Sequence, residues 1–283
     1  MKRAIVTVYY PNEENGKNVE LIAEQVDQVI VCDNSPSSNQ LLFANPKIEY
    51  VFFGENLGLS LAFNRVLKQK MDWSEDDYIV FFDQDSTIEC GHIDNLIAVY
   101  KDLEQMGVNI GCLGPVFYNN SNGMIEIPKM KTQISEKNYS VQSIITSSML
   151  TTYGNLRRVG FWNEKIFLDM ADWDLCWRLI EAGMKCCMTE KVVLNHTLGN
   201  GEKKIGIFRL RVGSSIRDYY QTRDCLYLFR EKYVPLKYKC RFVSMITVRA
   251  IIRLIFLEDR RRRFHYISRG FKDYRKKIIG VYK

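Results

Sequence analysis

The sequence predicts an α/β protein, a mostly parallel sheet flanked by helices, with a basic helical extension at the C-terminus. Short apolar runs alternate with helical periodicities from residue 4 to residue 117, the pattern of βαβ units. Those runs are continuous rather than alternating, as expected of strands covered on both faces. The charge divides the chain. Residues 237–283 carry fifteen Lys and Arg against three acids, which is +12, so a total of +7 leaves 7 − 12 = −5 for residues 1–236.

The elements follow in order. Ala4–Tyr10 reads as a strand and Gly16–Val26 as a helix. Gln28–Cys32 is a β-rich run closed by the turn signal Asp33-Asn34-Ser35-Pro36. Ile48–Phe53 is a third strand. Leu59–Lys70 is a helix with Leu59, Phe63, Val66 and Leu67 on one face. Tyr78–Phe82 is a fourth strand, His92–Met106 a helix, and Ile110–Phe117 a strand. Met124–Ser148 is less regular and fits short antiparallel strands. Asp172–Ala182 is helical, with Gly183 placed to end it, and Lys191–Asn195 is a further strand. After Gly213 the pattern is helical nearly to the end. Residues 1–230 are expected to form the body and 231–283 the tail.

At 283 residues and 46% apolar, the chain has enough material for a sizeable core, so disorder is not the default expectation. The eight cysteines are scattered with no C-x-x-C pair and read as buried thiols of a reducing compartment. The N-terminal MKRAIVTVYY runs almost directly into a strand and leaves no room for a signal peptide.

The chemistry concentrates in YIVFFDQDST, residues 78–87. A buried strand ends abruptly on Asp83 and Asp85. In open parallel sheets, ligands bind beyond the carboxyl ends of the strands. Alternate residues of an extended segment point the same way, so both carboxylates are expected to face one site. Two hard oxygen ligands suit Mg2+ or Mn2+, which takes further ligands from water and from a substrate's phosphates. The competing reading makes Ser86-Thr87-Ile88-Glu89 a capping box with Asp85 as a turn residue. Asp33, ending the second strand, is either a turn former or an acceptor for a base or ribose. Asn56-Leu57-Gly58 and Asn64 bring more polar groups to the same edge.

The segments VTVYYPN (6–12), VCDNS (31–35), ENLGLSLAFN (55–64), FFDQDS (81–86), FLDMADWDLCWR (167–178), NHTLG (195–199) and RDYYQTRD (217–224) together resemble the inverting nucleotide-sugar glycosyltransferases of family 2. These have the GT-A fold, a Rossmann-like sheet. Within that family the chain is most similar to bacterial rhamnosyltransferases of polysaccharide and O-antigen assembly. The resemblance implies that Thr7, Tyr9 and Asp33 form the pocket for base and ribose. Asn56, Gly58 and Asn64 match the family's Asn-x-Gly-x(5)-Asn loop beside the nucleotide. It also implies that Asp83, Gln84 and Asp85 are the D-x-D, with Asp83 and Asp85 on the metal and Gln84 at the donor. His196 matches a histidine near the metal or diphosphate.

Asp172 falls where the family carries its general base, the second acid of a Glu-Asp pair, although this chain has Ala171 at the first position. A helix N-terminus favours an ionised carboxylate, the form a base needs, and would equally suit an N-cap. Asp169 and Trp173 are the expected acceptor contacts, while Trp177 is expected in the core. Arg217, Tyr220 and Arg223, at i, i+3 and i+6, share a helical face, and the resemblance places them near the donor diphosphate.

The resemblance thus implies transfer of a sugar, rhamnose first, from a dTDP- or UDP-linked donor to a glycan or lipid-linked acceptor, with Mg2+ or Mn2+. The alternatives are another donor sugar (galactofuranosyl, glucosyl or N-acetylglucosaminyl) or an inactive membrane-bound scaffold. A nucleotidyltransferase would need a basic or glycine-rich triphosphate loop near the first strand, where residues 9–16 read YYPNEENG. No nucleic-acid motif accompanies the basic tail, so nucleic acid is not an expected partner.

Within the tail, FVSMITVRAIIRLIFL (242–257) is too short and too charged to span a bilayer. It reads as an amphipathic helix. One placement is the membrane interface, peripheral on the cytoplasmic face; the other is packing on the body with a basic outer face. An apolar helical tail also allows pairing with a second copy.

Overall fold

The computed structural model describes residues 1–119, 124–128, 130–196, 202–205, 208–211 and 214–283, without the side chains of 119, 124, 126, 195, 196, 202–205 and 208–211. The chain begins with β1 (Lys2–Val8), α1 (Glu13–Ala23), β2 (Gln28–Asp33), β3 (Ile48–Phe52), α2 (Gly58–Leu67), β4 (Tyr78–Asp83) and α3 (His92–Gln105). Then come β5 (Ile110–Asn119), β6 (Met124–Glu126), β7 (Lys131–Ser135), β8 (Asn138–Val141), β9 (Met149–Thr152), α4 (Tyr153–Arg158) and α5 (Ala171–Glu181). Last are β10 (Lys185–His196), the hairpin β11 (Glu202–Ile205) and β12 (Phe208–Arg211), and the helices α6 (Arg217–Arg230), α7 (Leu236–Ile246), α8 (Val248–Phe256) and α9 (Arg260–Arg275).

The main sheet runs in the order β3-β2-β1-β4-β9-β5-β10-β8-β7, with β6 beside β5. Strands β3, β2, β1 and β4 are parallel neighbours, as are β5 and β10. Strand β9 runs antiparallel between β4 and β5 and joins the two halves. The apolar strands bury both faces. Ile5, Ile30, Ile79 and Phe81 pack on one side with Phe63, Leu67, Leu175 and Leu179 of α2 and α5. Ala4, Val6, Val29, Val31, Val80 and Phe82 pack on the other with Val19, Ile22, Leu96 and Tyr100 of α1 and α3. Chain order reverses between β1 and β4, so a crevice opens beyond their carboxyl ends, where such folds bind ligands.

Two strands of the main sheet, β9 and β10, differ from the sequence reading, and the hairpin β11–β12 had no counterpart in it. The four residues of β9 carry no pattern of their own and are held between longer neighbours. Strand β10 begins at Lys185 rather than Lys191, because its pairing with β5 is interrupted between Thr189 and Val193, which hides the first half from a periodicity reading.

The tail helices pack on the body. Gly270 of α9 lies against α6, where a Cβ would meet the Tyr219 carbonyl oxygen at 2.8 Å. Arg253 of α8 and Arg263 of α9 both reach the Asp218 carboxylate, at 2.6 and 2.8 Å. Phe242 of α7 is fully buried in the core beside Trp177. Among the described residues, no helix is long and apolar enough to cross a membrane.

Candidate active site

The site is built at the carboxyl ends of β1, β2 and β4. The register sets Thr7 beside Asp83 on one side and Cys32 on the other, with Val8 beside Asp33. Tyr9, just past β1, is half-exposed, and its N–H donates to Gln84 Oε1 at 2.7 Å. The Gln84 carbonyl accepts from the side chains of Asn15 and Asn18 on α1. Thr7, Tyr9, Asp83 and Gln84 therefore come together as one wall.

The D-x-D is not extended. The chain turns after Asp83, closed by the Ser86 N–H on the Asp83 carbonyl at 3.1 Å, so strict alternation does not aim its carboxylates. The alternative capping box is absent too. Helix α3 starts at His92 after the left-handed Gly91, with no side-chain cap, and Ser86 is buried with its hydroxyl 2.6 Å from that of Ser147. Ser147 in turn donates to Asp83 Oδ2 at 2.9 Å. Asp83 is half-buried and oriented by this hydroxyl, whereas Asp85 is exposed. This pair fits a hard divalent cation that completes its shell from phosphate and water. Among the described residues, the only three metal-capable side chains close together are the buried Cys112, Cys176 and Cys186, whose soft sulfurs suit neither Mg2+ nor Mn2+.

Asp172 lies in the first turn of α5, where its Oδ1 accepts the Trp173 N–H at 2.8 Å. Burial pushes its carboxyl up to about 8, Cys176 adds to the shift, the Trp173 N–H opposes it, and Asp83 and Asp169 raise it further. Asp172 thus lies within electrostatic reach of Asp83 and Asp169. Asp169 is ion-paired with Arg217 and accepts from Gln221 at 3.1 Å. Trp173 is half-buried, with the Arg241 guanidinium 4.7 Å from its ring centre. Trp177 is core, as the sequence reading has it.

Other expected donor residues support the crevice from beneath. Asp33 is fully buried; its carboxylate takes the Ser35 N–H, the Asn39 amide and the Tyr50 hydroxyl at 2.6 to 2.9 Å. Asn56 closes a turn onto the Gly58 N–H at 2.9 Å. Asn64 is buried and clamps the segment at 162–164 through the Trp162 backbone and the Glu164 carboxylate. On α6, Arg217 faces Asp169, while Tyr220 stacks on Phe167 at 4.0 Å. Arg223 does not share their environment. It is fully buried, paired with Asp224 and bonded to the Gly280 carbonyl at 2.6 Å, because the C-terminal residues pack over that side of α6. His196 ends β10, and its side chain lies outside the described residues.

Sequence reasoning missed three supports. Asn34 accepts the Leu57 N–H and donates to the Gly58 carbonyl, tying the β2 turn to α2. Ser147 orients Asp83. His92 bonds Ser148 Oγ at 2.7 Å and is held neutral by burial, its pKa lowered to about 4. Asn34 stood in a turn signal; Ser147 and His92 gave no local signal because their partners are distant in sequence.

The sequence model described as Glycosyl transferase family 2 matches residues 5–158, which include the β1, β2 and β4 ends and the D-x-D. The chain belongs to this family. It is a glycosyltransferase. It is 27% identical to "dTDP-rhamnosyl transferase RfbF" of Shigella flexneri, over 88% of this chain and 87% of that protein. Its fold resembles S. aureus TarS 1-349, with a TM-score of 0.57 at 12% identity over 97% of this chain and 81% of that one. It also resembles GalNAc-T7 crystallised with UDP, GalNAc and Mn2+, with a TM-score of 0.55 at 11% identity. That match covers 98% of this chain, which spans 57% of the GalNAc-T7 chain. The GT-A architecture is that of these structures.

Proposed function

We propose that the enzyme transfers rhamnose, with inversion, from dTDP-rhamnose to a glycan or lipid-linked acceptor of cell-surface polysaccharide, using Mn2+ or Mg2+. The observation that supports the reaction is the position of Asp172 in the first turn of α5, near enough to Asp83 and Asp169 for both carboxylates to raise its pKa. Asp172 takes the proton of the acceptor hydroxyl, whose oxygen attacks the anomeric carbon from the face opposite the nucleotide. The carbon–oxygen bond to the diphosphate breaks as the new glycosidic bond forms.

The half-exposed Tyr9 ring would stack on the base, and Thr7 lines the same wall. Asp83 and Asp85 would hold the cation through hard oxygens. When bound, the cation would supply positive charge that offsets the departing diphosphate and favours the ionised form of Asp172, which burial and the neighbouring carboxylates disfavour. Arg217, now paired with Asp169, would leave it to reach the diphosphate, and Asp169 with Trp173 would then line the acceptor side. The rhamnosyl assignment rests on the similarity to the Shigella protein, over nearly the whole of both chains.

The test is dTDP release from dTDP-rhamnose with Mn2+, against UDP- and GDP-linked donors, for the wild type and Asp172→Asn. Preferential turnover of the dTDP donor, lost in the variant, is expected. Equal turnover of a UDP-linked sugar would remove the rhamnosyl assignment, and an unchanged Asp172→Asn rate would remove the base.

A further inference from the structure

We propose that the corner formed by α8 and the start of α9 docks the enzyme on an anionic bilayer. Helix α8 is turned the wrong way round for a helix that meets only water. Its charged Arg253 faces inward, donating to Asp218 Oδ1 at 2.6 Å and Gln221 Oε1 at 2.7 Å, beside the buried Ala250. Its outward face carries Val248, Ile251 and Ile255 at i, i+3 and i+7, 55%, 57% and 51% exposed. The inward ion pair to Asp218 and hydrogen bond to Gln221 fix this orientation, so the apolar stripe is presented by the packing and not by fraying. An amphipathic helix puts that stripe against a core, a partner or a membrane.

The basic component lies next to it. Helix α9 opens with Arg260, Arg261 and Arg262, all exposed, with no acid in its first turn. Cations at a helix N-terminus oppose the helix dipole and destabilise the helix. The same cluster beside free N–H groups suits phosphate oxygens. Phe264, one turn further, is 63% exposed. Residues 256–262, Glu258 and Asp259 among them, line a shallow depression of about 680 Å³ that joins the end of α8 to the start of α9. Together with the exposed Arg249, the corner keeps a net positive charge.

Apolar side chains ringed by arginines complement acyl chains beneath anionic headgroups. A second copy of the chain is disfavoured, because a self-complementary contact would bring the same arginines together. The surface is also wired to the site, since Gln221 bonds both Arg253 and Asp169, and the neighbouring α7 places Arg241 over Trp173. Docking there would hold the acceptor side of the enzyme at the membrane. The docking itself does not depend on which sugar is moved.

The experiment is co-sedimentation of the full-length chain with vesicles of phosphatidylcholine alone and of phosphatidylcholine mixed with phosphatidylglycerol. The wild type should pellet with the mixed vesicles, stay in solution with phosphatidylcholine alone, and be released as salt rises. Each arginine near such a surface contributes about fivefold in partitioning, so Arg260→Glu/Arg261→Glu/Arg262→Glu should weaken binding by at least about 100-fold. Ile251→Ser/Ile255→Ser should weaken it by about tenfold or more. The glutamate variant should melt no lower than the wild type, since acids suit a helix N-terminus, and the serine variant close to it, since Ile251 and Ile255 are more than half exposed. Equal binding to both vesicle types, no binding, or variants that bind like the wild type would overturn the proposal. So would a wild-type dimer in solution that Ile251→Ser/Ile255→Ser turns into a monomer without affecting vesicles. The wild-type lipid and salt comparisons decide the question even where a variant misfolds, and none of these readings requires turnover.

Discussion

Gly58 and Phe167 meet backbone to backbone. The Leu59 N–H donates to the Phe167 carbonyl at 2.7 Å, and Gly58 has a φ of +74°. A Cβ on residue 58 would stand 2.7 and 2.9 Å from the Phe167 ring and collide with the same carbonyl oxygen. The start of α2 is thereby pressed onto the segment that carries Asp169 and leads into Asp172. The resemblance assigns Gly58 to the nucleotide; the geometry gives it a further task, fixing the distance between the loop at 56–58 and the segment leading into α5.

Gly58→Ala should therefore cost both stability and turnover. A left-handed non-glycine residue costs about 1–2 kcal/mol, and forcing a methyl into a filled space about 1–3 kcal/mol. A loss of roughly 2–5 kcal/mol in urea denaturation is expected. Residual activity at low temperature should fall further than the folded fraction does, because Asp172 is displaced as well. A variant with the wild-type midpoint and rate would show that the close approach is not needed.

Much of this was legible in the residues. Continuous apolar runs ending on Asp33 and Asp83 placed the parallel strands and the crevice. Asp172 could be placed because Gly183 and the apolar spacing defined its helix. What stayed hidden depends on partners far along the chain. Asn64 reads as a donor ligand, but its amide is spent on Trp162 and Glu164, about a hundred residues away. Arg223 shares a helical face with Arg217 by spacing, and the packing of α9 and the folding-back of residues 280–282 over α6 bury it. Periodicity describes an element and is silent on what later covers it.

Asp172→Asn should separate catalysis from stability. Loss of the base is expected to lower kcat by about 10²–10⁴-fold. The Asp172 carboxyl is pushed up to about 8, so the folded state prefers it protonated. Its contribution to stability is then greatest in acid and is lost as pH rises from the ordinary carboxylate range through 8. An asparagine never ionises, so without metal the variant should melt above the wild type at pH 8–9 and match it more closely at pH 5. Differential scanning fluorimetry at these pH values checks the sign. A variant less stable than the wild type at high pH would show that Asp172 is not desolvated.

Ser147→Ala probes the metal through its support. The Ser147 hydroxyl orients Asp83 and touches Ser86, and it reaches no substrate group itself. Removing a residue that orients a metal ligand typically weakens metal binding by about 10–100-fold. Activity should vanish with chelator in both proteins and return on adding Mn2+ or Mg2+, the variant needing more metal by about that factor. Asp85→Ala should not be rescued at any concentration. Equal metal requirements for Ser147→Ala and the wild type would disconnect the hydroxyl from the cation.

The two arginines of α6 should behave differently despite their spacing. Arg217 is partly exposed and paired across the cleft mouth with Asp169, so Arg217→Ala should leave the melting temperature near that of the wild type. Its turnover should fall by about 10–100-fold if the guanidinium steadies the leaving diphosphate. Arg223 is buried against Asp224, whose carboxyl also holds the Phe167 N–H at 2.8 Å. Arg223→Ala strands that carboxyl and should cost about 3–5 kcal/mol at neutral pH. Burial already raises Asp224 to about 7 despite the opposing pull of Arg223, and losing the arginine raises it further. A group whose folded pKa is raised loses its stabilising contribution as pH increases, so the penalty of Arg223→Ala should be smaller at pH 5 than at pH 8. Arg223→Met, which keeps the volume without the charge, should show the same pH trend with less loss at pH 5. A pH-independent penalty would mean that Asp224 is not the group left unpaired, and a cold-sensitive rate with an intact melting temperature would return Arg223 to the donor site.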